Sequence, residues 1–220
     1  SDVAEAELPL YVSILMPEDA YTETFFYNTV GPMIGLLLCM STLLPVATLI
    51  KVLVEEKESK VKETMKIMGL SDFVYYLAWF TVAFCEWFVL AALCTFVVGY
   101  GVLPNSSASL FFVYFLLFSL SEIAFCFMMA TFFHRSMLAA IIGPIALFAF
   151  LMIRYVLFAT PANELAWAKW LISLLAPSAF AFGGDTISSF EAADVGMDWG
   201  YINAGAFPFS ASLTMLAVDS

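Results

Sequence analysis

Basic residues are scarce in this chain. Its 220 residues include eight Lys and Arg and one histidine, His134, and only 12% of the chain is charged. Binding nucleic acid requires a basic face to meet the phosphates, and so few cations exclude nucleic acid as a partner. Cysteine is also sparse. Cys39, Cys85, Cys94 and Cys126 each sit inside an apolar run, where a thiol serves as a small packing side chain rather than a disulfide half or metal ligand. With one histidine, no metal-ligand spacing occurs. No catalytic triad is visible, and the phosphate-binding pattern G-x-x-x-x-G-K-[ST] is absent from these residues. The sequence therefore offers no catalytic residue, no metal site and no cofactor site of its own.

Apolar residues are abundant: 63% of the chain is hydrophobic, 17% is aromatic with 23 Phe, and the mean hydropathy is +0.94. Soluble domains carry about 25% charged and 45–50% apolar residues. A chain of this composition cannot cover itself with polar groups, so lipid is the solvent for much of it. The reading is an integral, multi-pass, all-α membrane helix bundle.

Ser1–Thr24 is acidic, with alternating Leu10, Val12 and Ile14 as a weak strand signal, and reads as the end of an external domain. Phe25–Ile50 is an uncharged run long enough to span, with Pro45 as a possible kink. Lys51–Asp72 is charged, and Phe73–Val98 is a second span carrying Glu86. A turn-rich loop at Gly99–Ser109 leads to a third span, Leu110–Phe133, with Glu122. His134-Arg135-Ser136 forms a polar turn before a fourth span, Met137–Ala159, with Arg154 near its far end. Pro161–Phe182 reads as a re-entrant hairpin that goes in over Glu164–Leu175, turns at Ala176-Pro177 and comes out over Ser178–Phe182; a full span is the alternative. Gly183–Ala206 reads as an external loop, and the run from Phe207 to Ser220 as the start of another span. Both ends read as cut points in a longer protein.

The positive-inside rule orients these elements. Lys51, Lys57, Lys60, Lys62, Lys66 and Arg135 fall in loops that share one side, which is then cytosolic. The acidic loops face outward, as does Asn105, whose Asn-Ser-Ser is a glycosylation sequon. Within the cytosolic segment, Val54, Val61, Met65 and Met68 fall on one helical face. Glu56/Lys60 and Glu58/Lys62 are favourable i,i+4 pairs, and Gly69 suits a helix C-terminus. The expectation is one amphipathic helix. It is either an ordinary solvated surface helix or a coupling element that passes motion between a cytosolic partner and the spans. Glu86, Glu122, Arg154 and Asp219 are intramembrane or near-membrane charges, which cost about 2.5–3.5 kcal/mol each on insertion scales. They read either as lipid head-group contacts or as groups that pair or snorkel.

Three separated motifs carry a resemblance. The run Glu55-Glu56-Lys57-Glu58 through Lys62-Glu63-Thr64-Met65-Lys66-Ile67-Met68-Gly69-Leu70 resembles the E-K-E-x-x-x-K-E-x-M-x-I-M-G-L hallmark of the ABC transporter A subfamily, and Trp79-Phe80 in the next span fits the same pattern. Phe133–Ala140 is similar to its F-S-R-x-x-L-A-A turn, with His134 in place of the small residue. Leu174–Gly183 is similar to its L-L-S-P-x-A-F-x-F-G run, with Ala176 in place of serine. The resemblance implies a partial ABC-2, type V exporter-like transmembrane domain, from the second span to the start of the sixth. Glu55, Glu56, Lys57, Glu58, Lys60, Lys62, Glu63, Lys66 and Gly69 would form its coupling helix. It implies an ATP-driven exporter of lipids or other amphiphiles. ATP and Mg would be bound by a nucleotide-binding domain outside these residues, and a second transmembrane domain would be a partner. A channel subunit, or a structural or regulatory subunit that keeps the fold without transport, remains the alternative.

Overall fold

The computed structural model describes residues 25–103, 105–157, 170–193, 195–203 and 208–220. The expected external segment Ser1–Thr24 and the entering limb of the hairpin up to Lys169 lie outside the described residues. The regular elements are helical: α1 (Phe25–Glu58), α2 (Val61–Ile67), α3 (Asp72–Gly101), α4 (Ala108–Phe132), α5 (Ser136–Leu157), α6 (Ala176–Ala192) and α7 (Phe209–Asp219), with a 3-10 turn at Trp199–Tyr201. Among the described residues, four stretches are long and apolar enough to cross a membrane: Met33–Glu58, Asp72–Gly99, Ala108–Phe132 and Ser136–Tyr155. The shortest, with 20 residues, reaches about 30 Å at 1.5 Å per residue, the thickness of a bilayer's hydrocarbon core.

In lipid, every polar backbone and hydroxyl group must find its partner inside the protein. Several span hydroxyls do so by bonding back along their own helices, while the buried Thr95 hydroxyl of α3 has no partner among the described residues. Thr81 donates to the Leu77 carbonyl and Ser119 to the Phe115 carbonyl at 2.7 and 2.8 Å. Ser71 caps α3, its Oγ accepting from the Val74 amide.

α1 is the central post, packed against α4, α5 and α6; α3 leans on α4, and α7 on α6 and α4. Without a hydrophobic drive between helices in lipid, close packing does the holding. Gly35 of α1 meets Ala181 and Gly184 of α6 so closely that a Cβ on Gly35 would stand 3.0 Å from the Ala181 Cα. Beside this crossing sits an aromatic stack. The Phe180 ring lies 4.0 Å from Phe118 and 4.7 Å from Tyr114, and Phe209 lies 5.0 Å from Tyr114. The Tyr114 hydroxyl donates to the Phe180 carbonyl. All four residues are fully buried.

Two expected boundaries move. The cytosolic segment is not one helix: α1 runs on to Glu58, the chain breaks at Ser59-Lys60, and α2 is a separate seven-residue helix. The break is made by Lys60, which sits in the left-handed region at φ 56°, where a side chain costs about 1–2 kcal/mol. The common face is lost with it. Val54 is buried in the bundle, whereas α2 buries no residue and Met68 is 75% exposed. In the second case, the turn expected at Ala176-Pro177 falls at Ser173–Leu175. Pro177 then occupies the first turn of α6, where its missing N–H costs nothing. The helix continues ten residues past Phe182 into the stretch expected to be loop.

Candidate functional site

The cytosolic end is a knot of charged side chains. At its centre are three consecutive residues at the end of α1, each reaching a different helix. The Glu56 Oε2 accepts from the Tyr75 hydroxyl at 2.7 Å and the Trp79 indole N–H at 2.9 Å, both on α3. Lys57 donates to the carbonyls of Ala130, Thr131 and Phe133 at 3.3, 3.0 and 3.1 Å, capping the C-terminal end of α4 where carbonyls lack intrahelical donors. The Glu58 Oε2 accepts from the Ser136 amide at 3.0 Å and its hydroxyl at 2.9 Å, at the N-terminal end of α5 where an anion is favoured. Successive helical residues point about 100° apart, which is why this tripeptide can address three neighbours.

α2 is fastened to the start of α3. Lys66 meets Asp72 at 2.5 Å, and Lys62 meets the other Asp72 oxygen at 3.5 Å. Lys62 also donates to the Tyr76 hydroxyl at 2.9 Å and lies 4.3 Å over that ring. Partial burial pulls the Lys62 ammonium down, but the Tyr76 and Asp72 oxygens outweigh it and hold the lysine above its ordinary value. The turn after α2 is a Schellman motif: Leu70 N–H bonds the Met65 carbonyl, Gly69 N–H bonds Lys66, and Gly69 sits at φ 96°. The Met-Gly-Leu of the first motif is thus turn chemistry, since a positive φ favours glycine. A cavity of about 550 Å³ lies under α2, lined by Lys57, Lys62, Lys66, Tyr75, Tyr76 and Phe127 among others. α2 and its flanks also expose Glu55, Lys60 and Glu63, the last at the edge of that cavity, together with Ile67 at 87% and Met68 at 75%.

These contacts replace the expected i,i+4 pairs. Glu56 turns into the bundle and the exposed Glu58 bonds Ser136 instead, because the break at Lys60 ends the helical register that the pairs need.

The intramembrane charges separate into different surroundings. Arg154 on α5 pairs with Asp185 on α6, and its guanidinium lies 4.5 Å over Tyr155 and 5.1 Å over Phe182. It is buried in the bundle, so pairing, and not an open head-group contact, describes it here. Glu122 on α4 is buried and accepts from the Thr42 hydroxyl of α1 at 2.7 Å. Glu86 is exposed on α3. Asn105 is exposed too, but its loop is pinned. Its amide and the Ser106 hydroxyl donate to the buried Glu191 at 2.9 and 2.5 Å, and Ser107 donates to the Met197 carbonyl.

Asp185, Glu191 and Thr42 were not singled out in the sequence. Arg154 carried the available signal for Asp185, because a cation inside a span needs a counter-charge. The boundary of α6 hid the answer: with Gly183–Ala192 taken as loop, Asp185 and Glu191 looked like solvated acids.

The family model described as ABC-2 family transporter protein matches residues 4–218. The chain is 34% identical over 192 residues to ATP-binding cassette sub-family A member 7 of Rattus norvegicus, covering 86% of this chain and 9% of that protein. It is 32% identical over 206 residues to phospholipid-transporting ATPase ABCA7 of Homo sapiens, covering 93% and 10%. With retinal-specific phospholipid-transporting ATPase ABCA4 of Bos taurus it shares 29% identity over 224 residues, covering 99% and 10%. The chain thus spans about a tenth of the length of these relatives.

Proposed function

Because the chain belongs to the ABC-2 family of transporter proteins, we propose that it is one membrane domain of an ATP-driven transporter moving phospholipids or related amphiphiles across or out of a bilayer. In the full protein, ATP and Mg²⁺ would be bound and hydrolysed by a nucleotide-binding domain. A second membrane domain, in the same chain or a dimer partner, would complete the lipid path. The kinship with phospholipid-transporting ATPases over most of the chain supports the lipid cargo.

The observation that carries the mechanism is the triple tie of Glu56, Lys57 and Glu58 to α3, α4 and α5. α2, with its exposed charges and its Ile67-Met68 tip, docks on the nucleotide-binding domain. Its Asp72 links bind it to α3, and the end of α1 fastens the same region to α4 and α5. A displacement of α2 by nucleotide-driven closure therefore reaches three spans through short polar contacts rather than through a flexible loop.

The test is ATPase activity of the full-length protein in nanodiscs, with and without phospholipid. We expect lipid-stimulated hydrolysis, reduced in the Lys60→Glu/Glu63→Lys variant because both side chains are exposed on the docking face and neither holds the fold. Unchanged stimulation in that variant would sink the docking role. Folded protein without any hydrolysis would favour the structural or regulatory subunit.

A further inference from the structure

The second cavity lies at mid-bundle, not at the cytosolic knot. It is about 290 Å³ and is lined by Glu122, Asp219, Phe125, Phe150 and the turn into α6 at Leu174–Pro177, among others. Two carboxylates therefore border one space among apolar side chains, Glu122 buried and Asp219 half-buried. Glu122 is 1% exposed. One of its oxygens accepts from Thr42, but Oε2 has no hydrogen-bond partner among the described residues, and neither has the buried Oδ2 of Asp219. Nothing cationic in the described bundle answers them. Arg154 is committed to Asp185, and Lys57, Lys62 and Lys66 to the cytosolic knot.

We propose that this cavity binds the primary ammonium group of a phospholipid, with Glu122 and Asp219 as its hydrogen-bonding counter-charges; this deepens the transporter reading and rests on it for the cargo. A buried carboxylate without a partner is costly, and an N–H-bearing cation removes that cost by supplying both charge and donors. A primary ammonium offers three donors, enough for Glu122 Oε2 and Asp219 Oδ2 together, whereas a quaternary ammonium offers none. The size fits a head group and not a whole lipid, because sites for drug-sized ligands start near 300 Å³. The rim residues Met128 and Leu174 are 47% and 55% exposed, so acyl chains can remain in the surrounding lipid.

The probe is an equimolar pair of dioleoyl lipids, phosphatidylethanolamine and phosphatidylcholine. They have the same net charge, and only the first donates N–H. The full-length purified protein is equilibrated with the pair in detergent, and the lipid it retains is counted by mass spectrometry. Wild type should retain phosphatidylethanolamine about tenfold over phosphatidylcholine, equivalent to about 1.4 kcal/mol. Glu122→Gln, which keeps an oxygen for Thr42, and Asp219→Asn should each bring the ratio towards one, and exposed Asp198→Asn should leave it alone. If either variant fails to fold, Leu174→Trp at the rim closes the mouth and should abolish the preference. No preference in wild type, or a preference that survives these changes, overturns the site. Equal retention with intact lipid-stimulated ATPase would refute the ammonium site and leave the transporter reading standing. Selective retention without stimulated ATPase would do the reverse.

Discussion

Replacing Lys57 by methionine should loosen the end of α4 while leaving the rest of the bundle in place. Methionine keeps most of the aliphatic stem and removes the ammonium, so the three carbonyls at 3.0–3.3 Å lose their shared donor. A hydrogen bond to a charged group contributes about 1.5–3 kcal/mol, and a cation at a helix C-terminus adds about 0.3–1 kcal/mol. The site is only part-buried, and water can reach the Thr131 carbonyl, so the net loss should be about 1–2 kcal/mol. At 1.4 kcal/mol per factor of ten, amides in the last turn of α4 should lose roughly 5- to 30-fold in protection. Hydrogen exchange read by mass spectrometry on the full-length protein resolves this, with peptides from Phe125–Ser136 against peptides from α6 as internal reference. Unchanged protection at the α4 end would show that the ammonium is spectator to the knot. Equal loss in α6 would mean global destabilisation. Either result would refute the argument that this lysine acts as a local cap.

Arg154→Leu should destabilise the bundle by about 3 kcal/mol, the low end for breaking a buried pair because Asp185 keeps some exposure; Arg154→Leu with Asp185→Leu should recover most of that loss, and thermal melting in detergent should rank wild type close to the double variant and above the single one. Gly183→Val should reduce the yield of monodisperse protein, because even a Cβ there would lie 2.5 Å from the Tyr114 hydroxyl and overpacking costs about 1–3 kcal/mol. Gly99→Ala, with Ala108 at an ordinary 3.5 Å, should behave as wild type.

What the sequence made legible follows from how local each signal is. A span is an apolar run of sufficient length, so four helices long and apolar enough to cross a membrane, in α1, α3, α4 and α5, could be read from composition. The α2 ending was legible as Gly69, because only the backbone of one turn is involved. Helix ends set by partners were not. Glu56/Lys60 looked like a surface pair because sequence spacing knows nothing of Tyr75 and Trp79, which reach Glu56 from 19 and 23 residues away. Lys60 looked helical by propensity and is left-handed, which the chain tolerates because Glu56, Lys57 and Glu58 are already anchored on one side of it and Asp72 on the other. The same logic explains part of the charge in the motif stretch: Glu56, Lys57, Glu58, Lys62 and Lys66 serve as helix caps and ties, and a mere solvated helix would have no need of a fixed order Glu-Lys-Glu. Reversing Glu56 and Lys57 would preserve charge, composition and helix propensity, yet would aim a lysine at two donors on α3 and a carboxylate at three carbonyls on α4. Position, not charge content, is therefore what this segment encodes.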